Sequence, residues 1–164
     1  MEDIYHWTPY GYNETVINPF VLILVFFAGI SILVLNRKHL HIPFLLGACV
    51  ITSIQRIVIS GFDLDMMRII ILFGLVRLAI DPDLRKIKLN KIDKTVIFFV
   101  TAMLILHTLQ IRNVGAFIYK AGFGFDVLGI FFLFRCIIRT PEDAERFVIT
   151  ALITAFPMAI AMTI

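Results

Sequence analysis

The chain has 164 residues, 60% of them hydrophobic and 16% charged, against roughly 45–50% and about 25% in soluble domains, so it has too little polar surface to cover a water-soluble fold. The formal net charge of +3 comes from Lys and Arg placed between apolar runs rather than along one solvated face, which argues against nucleic acid as a partner. Residues 1–18 carry Glu2, Asp3 and Glu14 and no Lys or Arg, the reverse of the basic start of a cleavable signal peptide.

Beyond this arm, charges and turn residues divide the chain into six apolar segments, at about 19–36, 42–60, 66–80, 95–111, 124–139 and 143–164. The runs Pro19 to Leu35 and Phe147 to Ile164 are uncharged and close to the ~20 residues with which a helix crosses hydrocarbon. Backbone N–H and C=O groups in lipid must be satisfied within their segment, and the ~10-residue alternation of barrel strands is absent. The expected class is therefore all-α: a polytopic membrane helix bundle of about six transmembrane helices after an extracytoplasmic arm, 1–18, with membrane lipids as its surroundings.

Local signals set the boundaries. Ser60-Gly61 reads as a tight turn between the second and third spans. Residues 112–123, broken by Gly115 and Gly122, suit an interfacial or re-entrant segment anchored by Tyr119 and Lys120. Gly122 and Gly124 then punctuate the start of the fifth span, with Asp126 in its first turn. Thr140-Pro141-Glu142-Asp143 is an N-cap, a proline at the first helical position and acids in the first turn. The chain stops at Ile164 within or just past an apolar run, with no polar flank, as a fragment or truncated reading frame would.

Charge bias orients the bundle. With the N-terminus outside, the inner side takes Arg37, Lys38, Arg77, Arg85, Lys86, Lys88, Lys91, Lys94, Arg135, Arg139 and Arg146. The outer side keeps Arg56, Arg68, Arg112 and Lys120. The positive-inside rule favours this N-out, C-out arrangement.

Motifs for nucleotide binding, serine hydrolysis, metal helices and redox cysteines are missing, so no catalytic residue, metal or cofactor is assigned. His39 and His41, two apart, leave a helix on different faces; His107 reads as a satisfied packing or interfacial histidine. Glu142, Asp143 and Glu145 read as a helix start, and Lys86 to Lys91 as a surface against the anionic inner leaflet. Cys49 and Cys136 read as apolar packing residues without a disulfide. Asn13-Glu14-Thr15 is a sequon that matters only in a host that glycosylates it. Arg135 lies deep in the fifth span with no well-placed carboxylate, so its expected partner is a backbone carbonyl or a group outside this chain.

The chemistry-bearing feature is arginine near the outer ends of the second and third spans. Arg56 and Arg68, separated by a short turn, reach one headgroup layer, where guanidinium forks can clamp a lipid-linked diphosphate, with Arg112 and Lys120 as weaker contributors. The plainer reading is snorkelling to ordinary headgroups.

These residues carry a resemblance. Gly61-Phe-Asp-Leu-Asp-Met-Met-Arg68, Phe73-Gly-Leu-Val-Arg77, Lys88-Leu-Asn-Lys-Ile-Asp93, Gly124-Phe-Asp-Val-Leu-Gly-Ile-Phe-Phe-Leu-Phe-Arg135 and Arg139-Thr-Pro-Glu-Asp143 resemble the N-terminal half of bacterial O-antigen ligase and polymerase-like proteins, over about residues 40–164. The resemblance implies a bacterial inner (cytoplasmic) membrane protein that handles a polyprenyl-diphosphate-linked glycan in cell-envelope polysaccharide biosynthesis. Family members are about twice this length, with a large periplasmic loop that would follow Ile164. The expectation is thus a carrier-binding portion, not active alone, that needs its missing C-terminal half or a partner subunit. A membrane transporter fragment and a non-catalytic membrane assembly subunit are the alternatives.

Overall fold

Four of the described helices start where a short polar side chain satisfies free N–H groups. Asn18 opens α1 (Pro19–Val34), its Oδ1 accepting from the Phe20 N–H at 3.0 Å with Pro19 next in line. After a 3-10 turn at Arg37–His39 comes α2 (His41–Val50). Asp65 caps α3 (Met66–Ile80) by accepting from the Met67 N–H. Asn90 and Asp93 form a reciprocal capping box, 2.8 Å in both directions, at the head of α4 (Lys91–Ile111). Next is α5 (Val114–Ile137). Thr140 and Asp143 cap α6 (Pro141–Thr163) in the same reciprocal way, as the Thr140-Pro141 signal anticipates. A computed structural model describes residues 15–51, 55–59, 62–84, 86, 88–112 and 114–163. Residues 1–14 of the expected arm, including Asn13 of the sequon, the Ser60-Gly61 turn, Arg85 and Ile164 lie outside the described residues.

Among the described residues the fold is all-α, with six helices and one added feature, an antiparallel hairpin of β1 (Arg56–Ile59) and β2 (Phe62–Asp65). The register runs from Arg56 opposite Asp65 to Ile59 opposite Phe62. The hairpin corrects the expected helical span at 42–60, because α2 ends at Val50. Ile57, Val58 and Ile59 are stiff β-branched side chains in succession, and Phe62-Asp63-Leu64-Asp65 alternates apolar and acidic residues, the period of a strand. The outer edge of β1 is covered by the end of the N-terminal arm. Val16 and Arg56 exchange backbone hydrogen bonds at 3.0 and 3.1 Å, and Thr15 Oγ1 accepts from the Val58 N–H.

Two other boundaries move. Residues 112–123 are not a separate interfacial piece: α5 begins at Val114 and runs unbroken through Gly115 and Gly122. Gly122 and Gly124 serve close packing there, not chain reversal. The capping box at Asn90 draws Lys91 to Lys94 into α4, one turn before the expected start at 95.

α3 sits at the centre, with Met66, Ile70 and Ile71 fully buried. It packs between α1 and α5, α4 lies against α5, and α2 joins α1 to α6. Glycine lets these helices approach closely. A Cβ on Gly74 would meet Phe44 at 2.7 Å and Leu133 at 2.8 Å, and one on Gly129 would meet Ile71 Cγ2 at 2.6 Å. The outward faces are strongly apolar: Phe20 is 81% exposed, Phe98 73% and Phe156 67%. α4 and the 117–137 stretch of α5 are long and apolar enough to cross a membrane, and only 11% and 17% of their most apolar windows are buried, where a core helix of a soluble protein would be mostly buried.

The Gly129–Ile71 contact makes a compensation test. Gly129→Val should cost about 1–3 kcal/mol by overpacking, read as a lower melting temperature in detergent. Adding Ile71→Ala makes room for the new side chain, so the double variant should lose less than the sum of the two single losses. Strict additivity would mean that the two helices do not meet at these residues.

Candidate functional site

The hairpin sets the first two arginines expected on the outer side near its junction with α3. Arg56 opens β1, opposite Asp65, the last residue of β2. Asp65 caps α3, so Arg68 leaves the first turn of that helix just beyond the hairpin. α3 and α5 run in the same direction, with Ile71 against Gly129 and Gly74 against Leu133, and Arg68 accordingly lies against the preceding stretch of α5. Its guanidinium rests over Gly122, where a Cβ would meet Nη2 at 2.8 Å.

One turn further along α5, Asp126 takes the guanidinium fork. Arg68 Nε donates to Oδ1 at 2.9 Å and Nη2 donates to Oδ2 at 3.0 Å, the two-point arrangement in which arginine holds carboxylates and phosphates. The pair is partly open, with side-chain exposures of 18% and 29%. Asp126 is therefore not a first-turn acid. Because α5 starts at Val114, Asp126 sits half-way along a 24-residue helix, where a carboxylate needs a partner rather than a helix dipole.

The remaining two candidate residues are held apart from this pair. Lys120 precedes Gly122 by two positions, so it leaves α5 on a different face; its Nζ lies 5.4 Å from the Phe123 ring centroid and 5.8 Å from that of Tyr119. Arg112 is exposed and ends α4 in the left-handed conformation, at φ 52°. Val114 to Gly122 is about 12 Å of helix at 1.5 Å per residue, so Arg112, at the turn before α5, and Arg68 do not share a layer. The hairpin sets Arg56 opposite Asp65, three residues before Arg68, whereas Arg112 and Lys120 lie nearer the start of α5. Asp65, Gly122 and Asp126 join the site by contact. The signal in the sequence was Gly122 and Asp126 at i and i+4, one face of one helix.

The opposite end is built from charges that bind chain to chain. Arg135 Nε donates to Asp93 Oδ1 at 3.2 Å, and Asp93 is buried while also accepting the Asn90 N–H. The partner of Arg135 is thus a carboxylate of this chain, correcting the expectation of a carbonyl or an outside group. Asp93 follows the lysine-rich Lys86 to Lys91 stretch, and the capping box with Asn90 holds it in the buried position. Arg37 meets Asp143 at 3.0 Å and donates to the Ile137 carbonyl. Arg139 donates to the carbonyls of Cys136, Asp83 and Leu84, and Arg77 to that of Leu33. Several arginines expected only to set orientation therefore close the ends of helices. His41, buried, hydrogen-bonds Thr150 through Nε2 at 3.1 Å. Burial and the nearby His39 and Arg146 push its pKa below the usual value despite Asp143. His107 departs from the expectation of a satisfied histidine: its buried Nδ1 has no hydrogen-bond partner among the described residues. No group of three His, Cys, Asp or Glu gathers as for a metal ion among the described residues.

Asp143, just before the apolar run of α6, titrates informatively. Burial raises its pKa, but the N–H groups of Arg139 and Thr140, the Arg37 guanidinium and the Thr140 hydroxyl outweigh this and hold it below the ordinary value. A depressed carboxylate stabilises the fold fully above its unfolded pKa of about 3.9, and that contribution is lost as pH falls through the folded value. Asp143→Asn should therefore lower the melting temperature at pH 7 and flatten its decline below about pH 4, measured by a thermal shift series in detergent. Comparison with family models, curated proteins and solved structures gives no match for this chain.

Proposed function

We propose that the chain is the membrane-embedded portion of an O-antigen ligase or polymerase-like protein. On this reading it is a six-helix bundle in a bacterial inner membrane, and its hairpin end receives the diphosphate of a polyprenyl-linked glycan. The observation that carries the reading is the Arg68 fork, seated on Gly122 beside the hairpin that bears Arg56, in the geometry that takes either a carboxylate or a phosphate. The exposed apolar faces of α1, α4 and α6 support a lipid surround. The basic residues at the opposite end support an inner-leaflet location for it. The glycan chemistry rests on the sequence resemblance.

A transporter is the second reading, and the depth of the Arg68–Asp126 pair favours it, since ionisable pairs within a bundle often line ion or substrate paths. Ion-coupled solute uptake by the reconstituted protein would decide for that reading.

Orientation is testable directly. With Cys49 and Cys136 replaced, single cysteines at Lys38, Lys88 and Glu142 should resist a membrane-impermeant thiol reagent in intact cells, and one at Arg112 should react. Labelling at Lys88→Cys from outside would reverse the orientation and move the hairpin end to the cytoplasmic face.

Ligand affinity tests the site itself. A charge-assisted hydrogen bond contributes roughly 1.5–3 kcal/mol, so Arg56→Ala or Arg68→Ala should weaken binding of a polyprenyl diphosphate in nanodiscs by about 10- to 100-fold. Lysine at either position keeps charge but loses the fork and should rescue only in part. Arg112→Ala and Lys120→Ala, on the outer turn and on another face of α5, should each change affinity by less than about threefold. Unchanged binding in both arginine-to-alanine variants would remove the site, and full rescue by lysine would reduce it to snorkelling.

A further inference from the structure

We infer that Asp126 sets the binding threshold of the hairpin-end site: it occupies the Arg68 fork until a lipid-borne diphosphate, whose second phosphoryl group can reach toward Arg56, displaces it. This rests on the diphosphate reading above.

The geometry makes Asp126 a competitor rather than a bystander. The Nε/Nη2 edge of Arg68, one of the two-point edges that a guanidinium offers a phosphate, is engaged by the two carboxylate oxygens at 2.9 and 3.0 Å. The carboxylate is fixed on the face of α5 that also carries Gly122. Gly122 holds the guanidinium flat against that face, because a Cβ would press on Nη2 and Cζ at 2.8 and 3.0 Å. The Nε/Nη2 edge thus takes one planar two-point partner at a time, and the pair is partly open.

Charge then decides what can enter. A monoanionic headgroup brings the same single charge and the same two-oxygen bite as Asp126, so exchange gains nothing and leaves a carboxylate without its cation. A diphosphate brings at least two charges and two phosphoryl groups. One group can take the Arg68 fork while the other reaches toward Arg56, which the hairpin register ties to the same junction through Asp65. Only such a ligand offsets the release of Asp126, so ordinary monoanionic membrane lipid, present in vast excess, does not fill the site.

The test measures binding to the purified full chain in nanodiscs, using geranylgeranyl diphosphate, geranylgeranyl monophosphate, phosphatidylglycerol and inorganic pyrophosphate. Wild type should prefer the diphosphate lipid over the monophosphate by at least about tenfold, bind phosphatidylglycerol no better than the monophosphate, and bind pyrophosphate at least about tenfold more weakly for want of the isoprenyl chain. Asp126→Asn removes the competing charge and should tighten monophosphate, diphosphate and phosphatidylglycerol binding alike by about tenfold, while the preference for the diphosphate persists. Arg68→Ala should lose both lipids. If Arg68→Ala weakens binding but Asp126→Asn leaves affinity unchanged, the competition is wrong and the diphosphate site stands. If Arg68→Ala changes nothing, the site and the competition fail together. The wild-type comparison needs no variant to fold: equal affinity for monophosphate and diphosphate lipids overturns the inference, and pyrophosphate binding as tight as the lipid overturns its lipid source.

Discussion

An ionised side chain held away from water costs several kcal/mol unless an opposite charge meets it in good geometry. The longest helix, α5, carries two such groups of opposite sign, Asp126 and Arg135. A different neighbour answers each: Arg68 of α3 meets the carboxylate, and Asp93 of α4 meets the guanidinium. Nine residues separate the two positions, about 13 Å along the axis, so the pairs act as two pins at different heights. Sliding α5 by one turn past either neighbour would unpair a charge and also drive Ile71 or Leu133 into a facing helix. Arg68–Asp126 and the Gly129–Ile71 contact lock α3 in one register, while Asp93–Arg135 and the approach of Gly124 to Val100 lock α4.

How far the sequence reveals this depends on whether a feature is local. Helix starts at Pro19 and Pro141 were legible because proline and a capping side chain act within four residues. The third span was legible to its ends, 66–80, because Asp65 and Asp81 bound a single apolar run. Charge partners were not legible. Asp93 lies 42 residues from Arg135 in a stretch whose lysines dominate any linear reading, and only the bundle shows that the Asn90 capping box turns its carboxylate inward. Asp126 was visible but misplaced, because Gly122 and Gly124 were taken to start a helix when both sit inside one, as contact points for Arg68 and Val100. Of the candidate site, the pairing of Arg56 with Arg68 was readable from their short separation, whereas the separation of Arg112 and Lys120 needed the helix faces.

The hairpin was missed for a different reason. Hydropathy counts apolar residues whatever their shape, so 42–60 passed as one helical run. The β-branched series at Ile57 to Ile59 and the alternation of β2 carried the opposite signal at a period of two. Tertiary context made that signal decisive, because a two-stranded ribbon alone is marginal. Here its outer edge donates to Thr15 Oγ1 and exchanges backbone hydrogen bonds with Val16, and its far strand runs straight into the capped start of α3.

The hairpin also explains why the polar site lies where it does. α2 has ten residues, about 15 Å of helix, roughly half of a ~30 Å hydrocarbon layer. In a bilayer the chain between α2 and α3 would therefore turn at depth. Non-helical backbone is tolerated there only when it is enclosed by protein or faces a water-filled cavity. The ends of α1 and the arm enclose one side of the hairpin, through Val16 and through Gln55, whose side chain accepts from the Asn18 N–H. At its base lie the capping carboxylate of Asp65 and the partly open Arg68–Asp126 pair. The capping carboxylate that α3 needs and the partly open Arg68–Asp126 pair thus lie at one end of the bundle, where the interruption that shortens α2 sets the hairpin beside them.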